Sequence, residues 1–170
     1  ITSAQGAAAS TGVPLTHRGL ASGVRYVTGH RAKDAALDLD WASLASEETT
    51  LVVYMGAGNI AEIALQLMRH GMAPALPVLA VSAATTPRET RLLSTLGRIG
   101  TDVAQSQPEA PVLFVIGRVA GLYPAIAALD ASLCEGAGMA AYAPQYAIPD
   151  VNIDTVGAFI EHARPLSSRA

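Results

Sequence analysis

Cysteine is almost absent from this chain. Cys134 stands alone, so no intrachain disulfide can form and no cysteine cage can hold a metal. Aromatic residues are scarce at 5%, so any core must be built from small aliphatics, which suits close packing of helices on a sheet. Long apolar runs are lacking too: Arg118, Pro124 and Asp130 interrupt the later stretches, well short of the ~20 residues a membrane helix needs. His17, His30, His70 and His162 show no H-x-x-x-H spacing, and Ser22 falls one position late for a nucleophile elbow in Gly19-Leu20-Ala21-Ser22-Gly23. Metal-assisted and serine-type hydrolysis are therefore not expected, and no metal site is. No basic stretch followed by an apolar run opens the chain, so the expectation is a cytoplasmic domain without a leader or membrane span.

Acidic residues are missing from the start of the chain. Residues 1–33 hold Arg18, Arg25, Arg31 and Lys33 and no carboxylate, whereas the whole chain carries a net charge of −3. That balance argues against nucleic acid as a partner. A basic segment on an acidic protein marks either a site for an anionic ligand or a chance run along a solvated surface.

What is present is core material. Hydrophobic residues make up 51% of the 170 positions and charged ones 15%, enough for one ordinary domain and too apolar for disorder over most of its length. A short Ala-rich helix capped by Thr2 or Ser3 should stop near Gly12 and Pro14. Strands are expected at 24–28, 50–55, 77–81 and 111–116, and Asp40 should cap a short helix from Trp41 to Ala45. Asn59 followed by Glu62 resembles a capping box, opening a helix whose Ile60, Ile63, Ala64, Leu67 and Met68 share one face. Thr86-Pro87-Arg88-Glu89 reads as a second helix start, continuing through Leu92, Leu96, Ile99 and Val103 with a break near Ser94-Thr95. Apolar strands alternating with helices predict an α/β fold, a sheet of four to five strands with helices on its faces and a mostly parallel core. Residues 1–123 form the domain; residues 124–170 read as a C-terminal extension of unclear role, helical only at 156–162.

Two constellations carry chemistry. Gly56-Ala57-Gly58-Asn59-Ile60-Ala61 follows a strand and opens a helix, matching the G-x-G-x-x-A turn that presents backbone N–H groups to a pyrophosphate. The carboxylate that binds a ribose is missing where the next strand ends, at Ser82-Ala83-Ala84, so dinucleotide binding stays open but weakened. The other constellation runs from Thr2-Ser3-Ala4 through Pro14-Leu15-Thr16-His17-Arg18 and Ser22-Gly23-Val24-Arg25 to Val27-Thr28-Gly29-His30.

That run, with Asp40-Trp41, Tyr54-Met55-Gly56, Ala84-Thr85 and Gly117-Arg118-Val119, resembles the C-terminal half of the uroporphyrinogen-III C-methyltransferase branch of the tetrapyrrole methylases. The resemblance covers about residues 1–123. It implies two α/β domains with S-adenosylmethionine in the cleft between them, a homodimer, and C-methylation of uroporphyrinogen III to precorrin-2 on the sirohaem and cobalamin branch of porphyrin biosynthesis. By the same resemblance Thr2, Ser3, Met55, Gly56 and Ala84 line the cofactor. His17, Arg18 and Arg25, with Arg31, would hold carboxylates of the substrate, Arg18 foremost because a guanidinium grips a carboxylate with two parallel bonds. No catalytic acid or base is indicated. The family's N-terminal half, with its glycine- and proline-rich first loop and Gly-Gly-Asp-Pro loop, has no counterpart in these residues. Another tetrapyrrole methylase is the enzymatic alternative, and an inert dimerisation fragment the non-enzymatic one.

Overall fold

The structure, a computed structural model, describes residues 2–30 and 37–127. In chain order the elements are α1 (Ser3–Thr11), β1 (Gly23–Thr28), α2 (Trp41–Leu44), β2 (Thr49–Tyr54), α3 (Ile60–Arg69), β3 (Pro77–Ser82), β4 (Thr90–Thr95), α4 (Ile99–Ser106), β5 (Val112–Ile116) and a 3-10 turn over Arg118–Leu122. Arg31 and the 156–162 segment lie outside the described residues. Ile126 and Ala127, just past the expected domain edge, still pack on the core.

The five strands form one sheet in the order β1-β2-β5-β3-β4. Only β1 and β2 pair in parallel; β2–β5, β5–β3 and β3–β4 are antiparallel. The expected mostly parallel core is thus corrected to a mixed sheet. The crossovers themselves read truly, since β1, β2 and β3 all run the same way. What periodicity could not show is that β5, last in the chain, inserts between β2 and β3 in the opposite direction. Its residues Val112-Leu113-Phe114-Val115-Ile116 are all buried, so it needs cover on both faces and takes the centre.

A second correction concerns residues 86–95. The expected helix start is a turn followed by the edge strand β4, which pairs with β3 from Ser82↔Thr90 to Pro77↔Thr95. Glu89 does reach back, but to the Thr85 N–H at 2.6 Å, closing a loop and not a helix. Leu92 packs on one face of the sheet and Leu93 on the other, the alternation of a strand. A helix forms only after Gly97, at α4.

Two apolar clusters sandwich the sheet. Leu51, Val53, Val78, Ala80 and Phe114 face α3 and α4; Val52, Leu79, Val81, Leu113 and Val115 face α1 and the 3-10 turn. Asp40 caps α2 as expected, accepting from Ser43 N. Asn59 does not cap α3: its amide donates instead to Gly29 O at 2.6 Å, tying the loop after β1 to the start of α3.

Candidate functional site

Because β1, β2 and β3 share a direction, the loops after them collect at one end of the sheet. Met55-Gly56 follows Tyr54, the last residue of β2, and Ala83-Ala84-Thr85 follows β3. Of the four non-glycine residues with left-handed backbone among the described residues, three lie here: Met55 (φ 51°), Ala83 (φ 46°) and Thr85 (φ 66°). Such conformations cost about 1–2 kcal/mol each for a residue with a Cβ. They persist where surrounding bonds over-determine them, commonly at ligand sites.

Those bonds are visible. Ala83 N donates to Pro111 O, Thr86 N to Ala83 O and Thr85 N to Glu89. On the Met55 side, Gly29 N donates to Tyr54 O, and the backbones of Gly29 and Gly56 nearly touch. A Cβ on Gly29 would sit 2.6 Å from Gly56 Cα, so only glycine fits that approach. Met55 itself is 63% exposed, a large apolar side chain held out into solvent from a constrained turn.

The third wall is the start of α1. Ala4 N donates to the Tyr54 hydroxyl at 3.2 Å, and a Cβ on Gly6 would lie 3.2 Å from the Thr85 methyl. The first turn of α1, with exposed Thr2 and Ser3, is therefore pinned between the two strand-end turns. Thr2, Ser3, Met55, Gly56 and Ala84 all lie at one end of the sheet, Gly56 buried beside Val53 and Phe114. Small residues, a helix N-terminus and an exposed methionine form a surface that a nucleoside and a carboxylate can approach closely. Tyr54 was missed as a member; its place directly before Met55 was the available signal.

His17, Arg18 and Arg25 do not join this cluster. Residues 17–21 form a tight turn, with His17 N donating to Ala21 O and Ala21 N to His17 O. It lies before β1, at the opposite end of the sheet, and six-residue β1 alone spans about 17 Å. There His17, Arg18, Ser22, Glu48 and Arg118 line an open cavity of about 560 Å³. Arg25 is engaged elsewhere: its guanidinium donates to the carbonyl and hydroxyl of Ser43, fastening α2 to β1. No group of three metal-ligating side chains occurs among the described residues.

The glycine turn at 56–61 opens α3, but it is not the dinucleotide-binding unit. That unit sets β2 beside a parallel next strand, and here antiparallel β5 lies between β2 and β3.

The family model "Tetrapyrrole (Corrin/Porphyrin) Methylases" matches residues 1–100, and the chain belongs to that family. Among curated relatives, it is 64% identical over 122 residues to the uroporphyrinogen-III C-methyltransferase of Paracoccus denitrificans, covering 72% of this chain and 42% of that protein. It is 45% identical over 122 residues to the siroheme synthase of Azotobacter vinelandii, covering 72% of this chain and 26% of the other. Among solved structures, the uroporphyrin-III C-methyl transferase of Thermus thermophilus complexed with S-adenyl homocysteine matches with a TM-score of 0.56 and 37% identity, over 65% of this chain and 46% of that one. The chain thus spans less than half the length of these relatives.

Proposed function

We propose that this chain is the C-terminal part of a uroporphyrinogen-III C-methyltransferase, a cytoplasmic homodimer that converts uroporphyrinogen III to precorrin-2. The single observation carrying this reading is the convergence of Thr2, Ser3, Met55, Gly56 and Ala84 at the sheet end where three strands finish. The methyl donor, S-adenosylmethionine, brings a group on an already activated sulfonium, so transfer needs positioning more than a protein nucleophile or metal. In this reading Met55 lies against the nucleoside, Ala84 leaves room for it, and Thr2 and Ser3 at the α1 N-terminus receive its polar groups. The other wall of the cleft comes from an N-terminal half like that of the relatives.

Arg18 and His17, together with Arg118, serve peripheral carboxylates of the tetrapyrrole and not the ring being methylated, since their cavity is a strand's length from the cofactor cluster. Arg25 is a structural arginine. The test is transfer of labelled methyl from S-adenosylmethionine to uroporphyrinogen III. It uses this chain fused behind the N-terminal part of the Paracoccus relative, and the chain alone. The fusion should methylate and the chain alone should not. A well-folded fusion that transfers no methyl, but self-associates, would favour the inert dimerisation fragment.

A further inference from the structure

Glu89 is the one charged residue in the buried set of the described chain, at 6% exposure. Removing a carboxylate from water is costly unless it is paired and fully bonded. Glu89 is both. One oxygen accepts from Arg91 Nε at 2.6 Å and the other from the Thr85 backbone N–H at 2.6 Å. Arg91 in turn donates to Ser10 O at 2.6 Å, near the end of α1, and its guanidinium lies 5.8 Å from the centre of the Tyr123 ring. Burial alone would lower the Arg91 pKa, but Tyr123 and Glu89 outweigh it and raise it, so the cation persists.

This pair grips two walls of the strand-end surface. Through Thr85 it holds the left-handed turn that carries Ala84. Through Ser10 O it holds α1, whose other end presents Thr2 and Ser3. The two walls approach directly where Gly6 faces Thr85. A pair of apolar side chains could fill this volume, but the carboxylate gives the Thr85 N–H and the guanidinium an acceptor oxygen each.

We propose that Glu89 and Arg91 are a positioning pair that fixes the Ala84 turn against α1 and so sets the shape of the methyl-donor site. The proposal rests on the reading of that site given above. Its test uses the fusion protein. Glu89→Gln keeps one acceptor oxygen but turns the other into a donor, so it can serve Thr85 or Arg91 and not both. Read without ligand, amide hydrogen exchange at Thr85 should speed up at least tenfold in Glu89→Gln. By calorimetry its Kd for S-adenosylhomocysteine should rise at least tenfold, and Arg91→Lys should fall between it and the parent. Leu67→Ala, a fully buried site in the opposite cluster, should lower Tm by a similar amount and leave Kd unchanged. Unchanged exchange at Thr85, or a Kd within twofold of the parent, overturns the proposal. So does a Leu67→Ala loss of affinity matching that of Glu89→Gln. A parent that binds no S-adenosylhomocysteine sinks the donor-site reading itself and the proposal with it.

Discussion

Met55 separates stability from binding cleanly, because its backbone is strained and its side chain is 63% exposed. Burying a whole methionine side chain is worth roughly 1.5–3 kcal/mol. With about two-thirds of it free to be covered, a nucleoside lying on Met55 gains about 1–2 kcal/mol from it. Met55→Ala should therefore raise the Kd for S-adenosylhomocysteine about five- to thirtyfold, at about tenfold per 1.4 kcal/mol. Its Tm should stay level, because little packing inside the protein is lost and alanine keeps the same left-handed backbone. Met55→Gly should lose affinity equally while relieving about 1–2 kcal/mol of backbone strain. Greater freedom of glycine in the unfolded chain takes back about 0.5–1 kcal/mol. The net gain of about 0–1.5 kcal/mol should hold Tm level or raise it by a few degrees. Calorimetric titration and thermal melts on the fusion protein read both quantities. Affinity within twofold of the parent in both variants would refute the contact, and a strong fall in Tm for Met55→Gly would refute the strain argument.

The remaining predictions divide by location. Gly29→Ala should cost about 1–3 kcal/mol of stability, read as urea midpoint, because its Cβ would meet Gly56 backbone at 2.6 Å; Gly58→Ala, with nothing within 4 Å, should be silent. Arg25→Ala should lose about 0.5–1.5 kcal/mol from its bonds to Ser43, with donor and tetrapyrrole affinity intact. Arg18→Ala should weaken tetrapyrrole binding about one to two powers of ten, at about 1.5–3 kcal/mol for a charged contact, and spare the donor. Arg18→Lys should restore part of it, while a fall in Tm with unchanged tetrapyrrole affinity would make Arg18 structural too.

Much of this arrangement could be read in the residues themselves. The strands before Met55 and Ala84 are buried apolar runs joined by a helix with a clear face, which fixes their common direction and brings their ends together. The location of β5 could not be read the same way, because its five buried residues say that it is central but not between which neighbours. The strand at 90–95 was hidden by coincidence. Leu92, Leu96, Ile99 and Val103 keep helical spacing across a strand, a Gly97 turn and a helix, and Thr86 to Glu89 imitates a cap. The division between Arg18 and Arg25 was invisible for another reason. Both are arginines on a basic segment, and only the fold brings Ser43 to Arg25 and opens a cavity beside Arg18.

The most direct test of the central claim is a calorimetric titration of the fusion protein with S-adenosylmethionine, S-adenosylhomocysteine, NAD and NADP. The sulfonium donor and its homocysteine product should bind, the affinity falling on Met55→Ala, and neither nicotinamide cofactor should give measurable heat. Binding of NAD or NADP, or a folded fusion that takes up neither adenosyl ligand, would contradict the assignment of the strand-end cluster as the methyl-donor site.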